Sequence, residues 1–199
     1  RALAILALTT RNHSNSHSWL LKCCGSANLA SVTLLLSTQS TPIGSLNLIA
    51  DEHVLLAANL SSLKALKESL SQEDFEKEIK SVTRIPIISD LIGDYFDGDI
   101  AALNAIKVRQ PGAPFSQAAW QAMKKVKAGK VISYSELAKR AGSPAAVRAA
   151  GSACAKNAIV LIVPCHRIVK TGGALGNYAY GLEKKEWLLR HEGFPQYCY

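Results

Sequence analysis

The chain has 199 residues, 48% of them hydrophobic, which is enough to bury a core without help from metals or disulfides, and no apolar run approaches the ~20 residues of a membrane-spanning helix. Its net charge of +8 lies on one side of the sequence: residues 121–199 hold 13 Lys/Arg against 4 Asp/Glu, and residues 1–120 hold 10 against 11. A basic half of this kind suits a polyanion, because each neutralised phosphate releases counterions, although a solubilising surface has the same composition.

Residues 1–31 read as an atypical or poorly ordered leader. The apolar start Ala2 to Leu8 after Arg1 has the flavour of a secretory signal, but no convincing small-residue cleavage site follows. His13, His17, Cys23 and Cys24 cluster on paper. The Ser/Asn-rich spacing between the histidines does not favour a helix that would align them, and adjacent cysteines do not readily share one tetrahedral ion, so no metal is expected. Five cysteines (Cys23, Cys24, Cys154, Cys165, Cys198) are an odd number without a disulfide framework, as in a reducing intracellular compartment.

From Val32 the pattern becomes regular. Residues 32–38, 44–50 and 54–59 read as three strands of a small antiparallel sheet, joined by turns at 41–44 and 51–53. Ser61 or Ser62 caps a helix through Leu70, and Pro86 to Asp97 places Ile88, Leu91, Ile92 and Tyr95 on one helical face. A link from Gly98 to Pro114 precedes a helix from Phe115 to Lys127. Ser133-x-x-Glu136 is a capping box opening a short helix that ends at Gly142, and Ser143-Pro144 is placed to start a second over Ala145 to Lys156. Two short helices about a glycine turn make a helix-turn-helix, a weak signal alone. The second helix is mostly Ala, Gly and Ser, which leaves little to read base edges but lets a backbone approach a sugar-phosphate wall closely.

Ala158 to Val163 reads as a buried strand, ended by Pro164. Cys165, His166 and Arg167 follow, three reactive side chains where an apolar run should continue. In an extended chain neighbouring residues face opposite ways, which argues against a direct Cys165–His166 contact unless the backbone turns. The glycine-rich stretch 172–181 contains no Gly-x-Gly-x-x-Gly between a strand and a helix, so no dinucleotide site is expected.

Pro164-Cys165-His166-Arg167 resembles the reactive motif of the O6-alkylguanine-DNA alkyltransferases. The likeness runs from about Gly112 to Gly193 and includes residues 131–134, 146–151, Lys156-Asn157, Gly176-Asn177-Tyr178 and 181–193. It implies an α/β (α+β) fold in two parts: a structural α/β domain over residues 32–110 and a mainly helical domain over 111–199 that carries the chemistry. The implied reaction is irreversible, single-turnover transfer of an alkyl group from guanine O6, or thymine O4, to Cys165, without a cofactor. His166, acting through a bridging water, and Glu192 are the implied proton acceptor and its orienting carboxylate.

The same resemblance assigns double-stranded DNA, met through its minor groove, to Tyr134, Ser135, Ser143, Arg148 and Thr171. Arg148 is the side chain implied to fill the gap left by a flipped nucleotide. The implied pocket comprises Tyr134, Asn157, Ile168, Asn177, Tyr178 and Ala179, with the carbonyls of Cys165 and Ile168 accepting from the guanine amine. A monomer is expected, in the cytoplasm or nucleoid of a prokaryote or the nucleus of a eukaryote. The alternatives are a lesion-sensing protein that performs no transfer and a helix-turn-helix regulator.

Overall fold

The computed structural model describes residues 33–195; the leader, the His13/His17/Cys23/Cys24 cluster and Cys198 lie outside them. Strands β1 (Leu34–Thr41), β2 (Gly44–Ala50) and β3 (Val54–Asn59) form an antiparallel meander. Alternation on β2 sends Leu46, Leu48 and Ala50 to one face and Ile49 to the other. Opposite Ile49 and Ala50 the register slips by one residue, so that Leu56 and Ala57 both face the smaller core while Leu55 and Ala58 face the larger.

The sheet is mixed rather than purely antiparallel. Two short strands that the sequence did not announce, β4 (Ile79–Ser81) and β5 (Lys107–Val108), pair parallel to β1 and β3 and give the order β4-β1-β2-β3-β5. Three residues and two are too few to show a period.

The helix after the meander, α1 (Leu63–Glu68), is capped by Ser62, whose hydroxyl accepts from the Ala65 amide at 3.2 Å, and it stops short of Leu70. The unforeseen α2 (Gln72–Phe75) holds the buried Asp74, on which Arg109 forks at 2.8 and 3.2 Å and Lys77 closes at 2.9 Å. Burial would raise the Asp74 carboxyl, but the Arg109 and Lys77 bonds hold it well below the usual range, so the stretch around β5 is tied to α2 by a charge pair. α3 (Ile88–Phe96) is the expected amphipathic helix, with Ile88, Ile92 and Tyr95 buried.

α4 (Pro114–Lys124) begins on its proline, one residue earlier than expected, and ends three earlier. β6 (Ile132–Ser133) and β7 (Ile168–Val169) pair parallel to each other and bring the reactive motif beside α5 (Tyr134–Arg140). The Ser133 hydroxyl caps α5 by accepting from the Glu136 amide at 3.1 Å, as the capping box requires. Gly142, at φ +88°, ends the helix, and the Ser143 amide donates back to the Ala138 carbonyl.

Two expectations are overturned here. α6 (Val147–Ala155) starts two residues late, because Ser143 to Ala146 closes a turn through the Ala146 amide and the Ser143 carbonyl; Pro144 serves that turn, and Ser143 caps nothing with its side chain. Residues 158–163, buried from Ile159 onward, form no strand: they touch β3 through one bridge, Ala58 to Ile159, and then coil, with Leu161 at φ +77°. The cause is Asn157. Its side chain accepts from the Ile159 amide at 3.2 Å and donates to the Val163 carbonyl at 2.8 Å, pairing inside one turn the groups a neighbouring strand would have paired.

α7 (Leu182–His191) is the last helix among the described residues, packing Lys185, Leu188 and Leu189 inward. The larger core runs without a break from the sheet through α3 and α4 to residues 159–163 and Leu188. Among the described residues no helix is long and apolar enough to cross a membrane.

Candidate active site

Cys165, His166 and Arg167 form one turn of 3-10 helix between Pro164 and β7. The backbone therefore bends where an extended chain was expected, and all three side chains are buried at this turn. Cys165 is 9% exposed and lies in the wall of a cavity of about 670 Å³. Tyr134 at the start of α5, Val147, Arg148, Gly151, Cys154 and Ala155 of α6, Asn157, and Asn177 to Tyr180 of the following loop enclose that cavity.

Behind the thiol lies a closed polar cluster. Glu192, just past α7, accepts from His166 Nε2 at 3.0 Å, from Arg167 Nε and Nη2 at 2.8 and 2.7 Å, and from the Tyr95 hydroxyl at 3.0 Å. Burial alone would raise its carboxyl, but His166 and Arg167 outweigh burial and bring it down to about 2, so Glu192 is an anion. An anion can only accept, so His166 presents its N–H at Nε2 and keeps a lone pair at Nδ1. His166 Nδ1 is buried and has no hydrogen-bond partner among the described residues. Burial also lowers the imidazole's affinity for a proton, against the pull of Glu192.

Burial pushes the Cys165 thiol up, while a hydrogen bond from Asn157 and the Lys185 ammonium pull it down. Lys185 is fully buried; its Nζ donates to the Ile168 carbonyl at 2.6 Å and to the Leu175 carbonyl, and burial brings it down to about 8. Burial first, and then the neighbouring sulfurs, Cys154 and Cys165 at Tyr134 and Cys165 at Tyr180, push both phenols up to about 12. Gly176, at φ +71°, lies so close under the Tyr134 ring that a Cβ would meet it at 3.2 Å.

Of the pocket residues expected from the sequence, Tyr134, Asn157, Asn177, Tyr178 and Ala179 line the cavity. Ile168 does not: its side chain is fully buried in the core and its carbonyl is engaged by Lys185. Arg148 stands exposed at the cavity rim on α6. Ser135 and Thr171 are both exposed, with hydroxyls 3.4 Å apart, so the α5 start and the loop after β7 share one surface. Ser143 lies in the turn between α5 and α6, away from the cavity lining.

Three polar residues of this region were not anticipated: Lys185, Tyr95 in its hydrogen-bonding role, and Gln110. Lys185 sits in the run Glu183-Lys184-Lys185-Glu186, which reads as a solvated face, yet it shares the spacing of Leu188, Leu189 and Glu192 and could have been found by that period. Gln110 carries no signal in the sequence.

A protein-family model described as the DNA-binding domain of 6-O-methylguanine DNA methyltransferase matches residues 114–194. The Salmonella typhimurium methylated-DNA–protein-cysteine methyltransferase is 37% identical over 161 residues, covering 78% of this chain and 93% of that protein. The chain belongs to the methylated-DNA–protein-cysteine methyltransferase family. The human member is 53% identical over 77 residues, which is 39% of this chain and 37% of that protein. The Mycobacterium tuberculosis OGT, solved in complex with DNA, superposes with a TM-score of 0.66 at 29% identity, covering 79% of this chain and 92% of that one. The family's α/β fold is thus the fold of this chain.

Proposed function

We propose that this protein repairs alkylated DNA by moving the alkyl group from guanine O6, and from thymine O4, onto Cys165. The observation that carries this reading is the pairing of Cys165 in a base-sized cavity with a neutral histidine, backed by a fixed carboxylate, whose free ring nitrogen has no partner among the described residues. A water between that Nδ1 and the thiol relays the thiol proton to His166. The thiolate attacks the alkyl carbon in line with the C–O bond; a C–S bond forms, the C–O bond breaks, and the electron pair stays on the base oxygen. A proton returned through the pocket then restores guanine, and no cofactor takes part. Among the described residues the thioether has no group beside it built to hydrolyse it, so each molecule acts once.

DNA binding follows from the helical half. The name of the matching domain and the DNA complex of the Mycobacterium relative support DNA as the partner, and the small residues of α6 suit the minor groove of a duplex. Arg148, exposed at the rim of the cavity, fills the stack when the damaged nucleotide turns into it; Tyr134 borders the entrance, and Ser135, Ser143 and Thr171 contact the backbone. Asn177, Tyr178 and Ala179 form the wall against the base. In this reading residues 32–110 are the scaffold and 111–199 the reacting domain, working as a monomer in whichever compartment holds the DNA.

Intact mass after incubation with a duplex containing O6-methylguanine tests the reading. One methyl per protein, mapped to Cys165 and lost in Cys165→Ala but kept in Cys154→Ala, is expected. No gain, or a gain mapped to Cys154, overturns it.

A further inference from the structure

Tyr95 belongs to α3, on the scaffold side of the fold, yet its hydroxyl ends on the carboxylate behind His166. We propose that Tyr95 is a positioning residue that restrains the proton relay: by sharing Glu192 Oε1 with His166 it weakens the imidazole as a base, and so keeps the resting Cys165 a thiol. The proposal rests on the reading of Cys165 as the attacking group and His166 as its proton acceptor.

The two oxygens of Glu192 are loaded unequally. Among the described residues Oε2 accepts from Arg167 Nε at 2.8 Å, whereas Oε1 accepts from Arg167 Nη2 at 2.7 Å, from His166 Nε2 at 3.0 Å and from the Tyr95 hydroxyl at 3.0 Å. An oxygen with two lone pairs cannot serve three donors fully, so each weakens the others. Arg167 is fixed by its fork and by the bond from its Nη1 to the Val126 carbonyl, which leaves the competition between His166 and Tyr95. The hydroxyl must be a donor here, because an ionised carboxylate only accepts. Nor can it turn away. Tyr95 is fully buried, its ring meets those of Phe96 and His191 edge-on at 5.1 and 5.0 Å, and its carbonyl takes His191 Nε2 at 2.7 Å. The adjacent residues His191 and Glu192 thus hold one tyrosine of α3 at its carbonyl and at its hydroxyl.

A carboxylate that draws on the N–H of an imidazole makes the far ring nitrogen more basic. Tyr95 takes part of that charge for itself, so His166 Nδ1 holds a proton less well and the balance between thiol with imidazole and thiolate with imidazolium moves toward the thiol. The other groups about the ring have fixed signs: burial, Arg167 and Lys185 oppose a second proton and Glu192 favours it, while Cys165 precedes the ring in the turn and Tyr178 lies toward Cys165, Tyr95 and Glu192 from the loop after β7. A standing thiolate is open to any small electrophile, and a protein that reacts once is lost by such an encounter.

The test compares Tyr95→Phe with a ring-fluorinated tyrosine placed at position 95 alone, both in the full chain. Iodoacetamide is the probe, since it needs neither DNA nor base flipping, and its uptake is followed on the Cys165 peptide. Phenylalanine keeps the buried ring and removes the donor. The fluorinated phenol is a more acidic and stronger donor, and burial and Glu192, which push the Tyr95 phenol up, keep it protonated. At pH 7 the phenylalanine variant is expected to react about threefold to tenfold faster than wild type, the effect of about half to one unit of His166 basicity. The fluorinated protein is expected to react about twofold slower. With isotope-labelled histidine, the His166 Nε2–H resonance should move downfield in the first, as its bond to Glu192 strengthens, and upfield in the second.

A merely structural Tyr95 would loosen the site in both proteins and move both rates the same way. That outcome, or rates and a resonance that do not move, overturns the proposal. If Tyr95→Phe does not fold, the fluorinated protein decides alone, and a rate equal to or above that of wild type overturns it. Failure of wild type to take a methyl from duplex would instead remove the repair reading and leave these rates standing.

Discussion

Replacing Glu192 by Gln exposes how much of this fold rests on the cluster behind the thiol. The carboxylate receives two bonds from Arg167, one from His166 and one from Tyr95, all buried. Its ionisation falls from an ordinary 4.5 to about 2, and that difference of about 2.5 units corresponds to about 3 kcal/mol of stability. The folded value is the depressed one, so the contribution is complete above pH 4.5 and is lost as pH falls toward 2. Glutamine imitates the protonated carboxyl and leaves the buried Arg167 without its counter-charge. Urea unfolding of both proteins between pH 3 and 7 should therefore show a gap of about 3 kcal/mol at pH 6 to 7, equal to a melting difference of roughly 6–12 °C, that narrows below pH 4.5. Asp74 is also held below its usual range, but it is present in both proteins and cancels. A gap under about 1 kcal/mol at pH 7, or one that does not vary with pH, would refute the assignment of a fixed anion at Glu192.

Arg148→Ala should slow methyl uptake from duplex by about tenfold or more while leaving reaction with free O6-benzylguanine within about twofold, because only the duplex requires a nucleotide to leave the stack; equal losses measured on both substrates would place Arg148 in the fold or the pocket. Lys185→Met should raise the iodoacetamide midpoint of Cys165, since it removes the cation that opposes burial at the sulfur; an unchanged midpoint would confine Lys185 to bracing the Ile168 and Leu175 carbonyls.

Much of this architecture is written in local patterns. Alternation marked β1 to β3, the Ser133 capping box marked α5, and the apolar period of Ile88, Ile92 and Tyr95 marked α3. The failures have separate local causes. Residues 158–163 have a strand's composition, but Asn157 closes them into a turn, and no propensity reports a hydrogen bond from a single side chain. Pro144 next to Ser143 signals a helix start equally well whether it occupies the first helical turn or the turn before it. At the site, the cysteine, histidine and carboxylate were legible because two recognisable segments, residues 164–167 and 181–193, carry them. Gln110 and Tyr95 meet it only through the fold, 47 and 97 residues away from the side chains they bond.

The sheet ends on β4 and β5, three and two residues long, and the Ala158 and Val160 backbone covers part of β3. At Leu34–Leu36 and at Ala58 the outer backbone groups of β1 and β3 are therefore already paired, and another chain has no ladder to extend there. A protein consumed molecule by molecule must be kept in stock against damage that has not yet occurred, and each paired border is one less place where stored copies can join edge to edge.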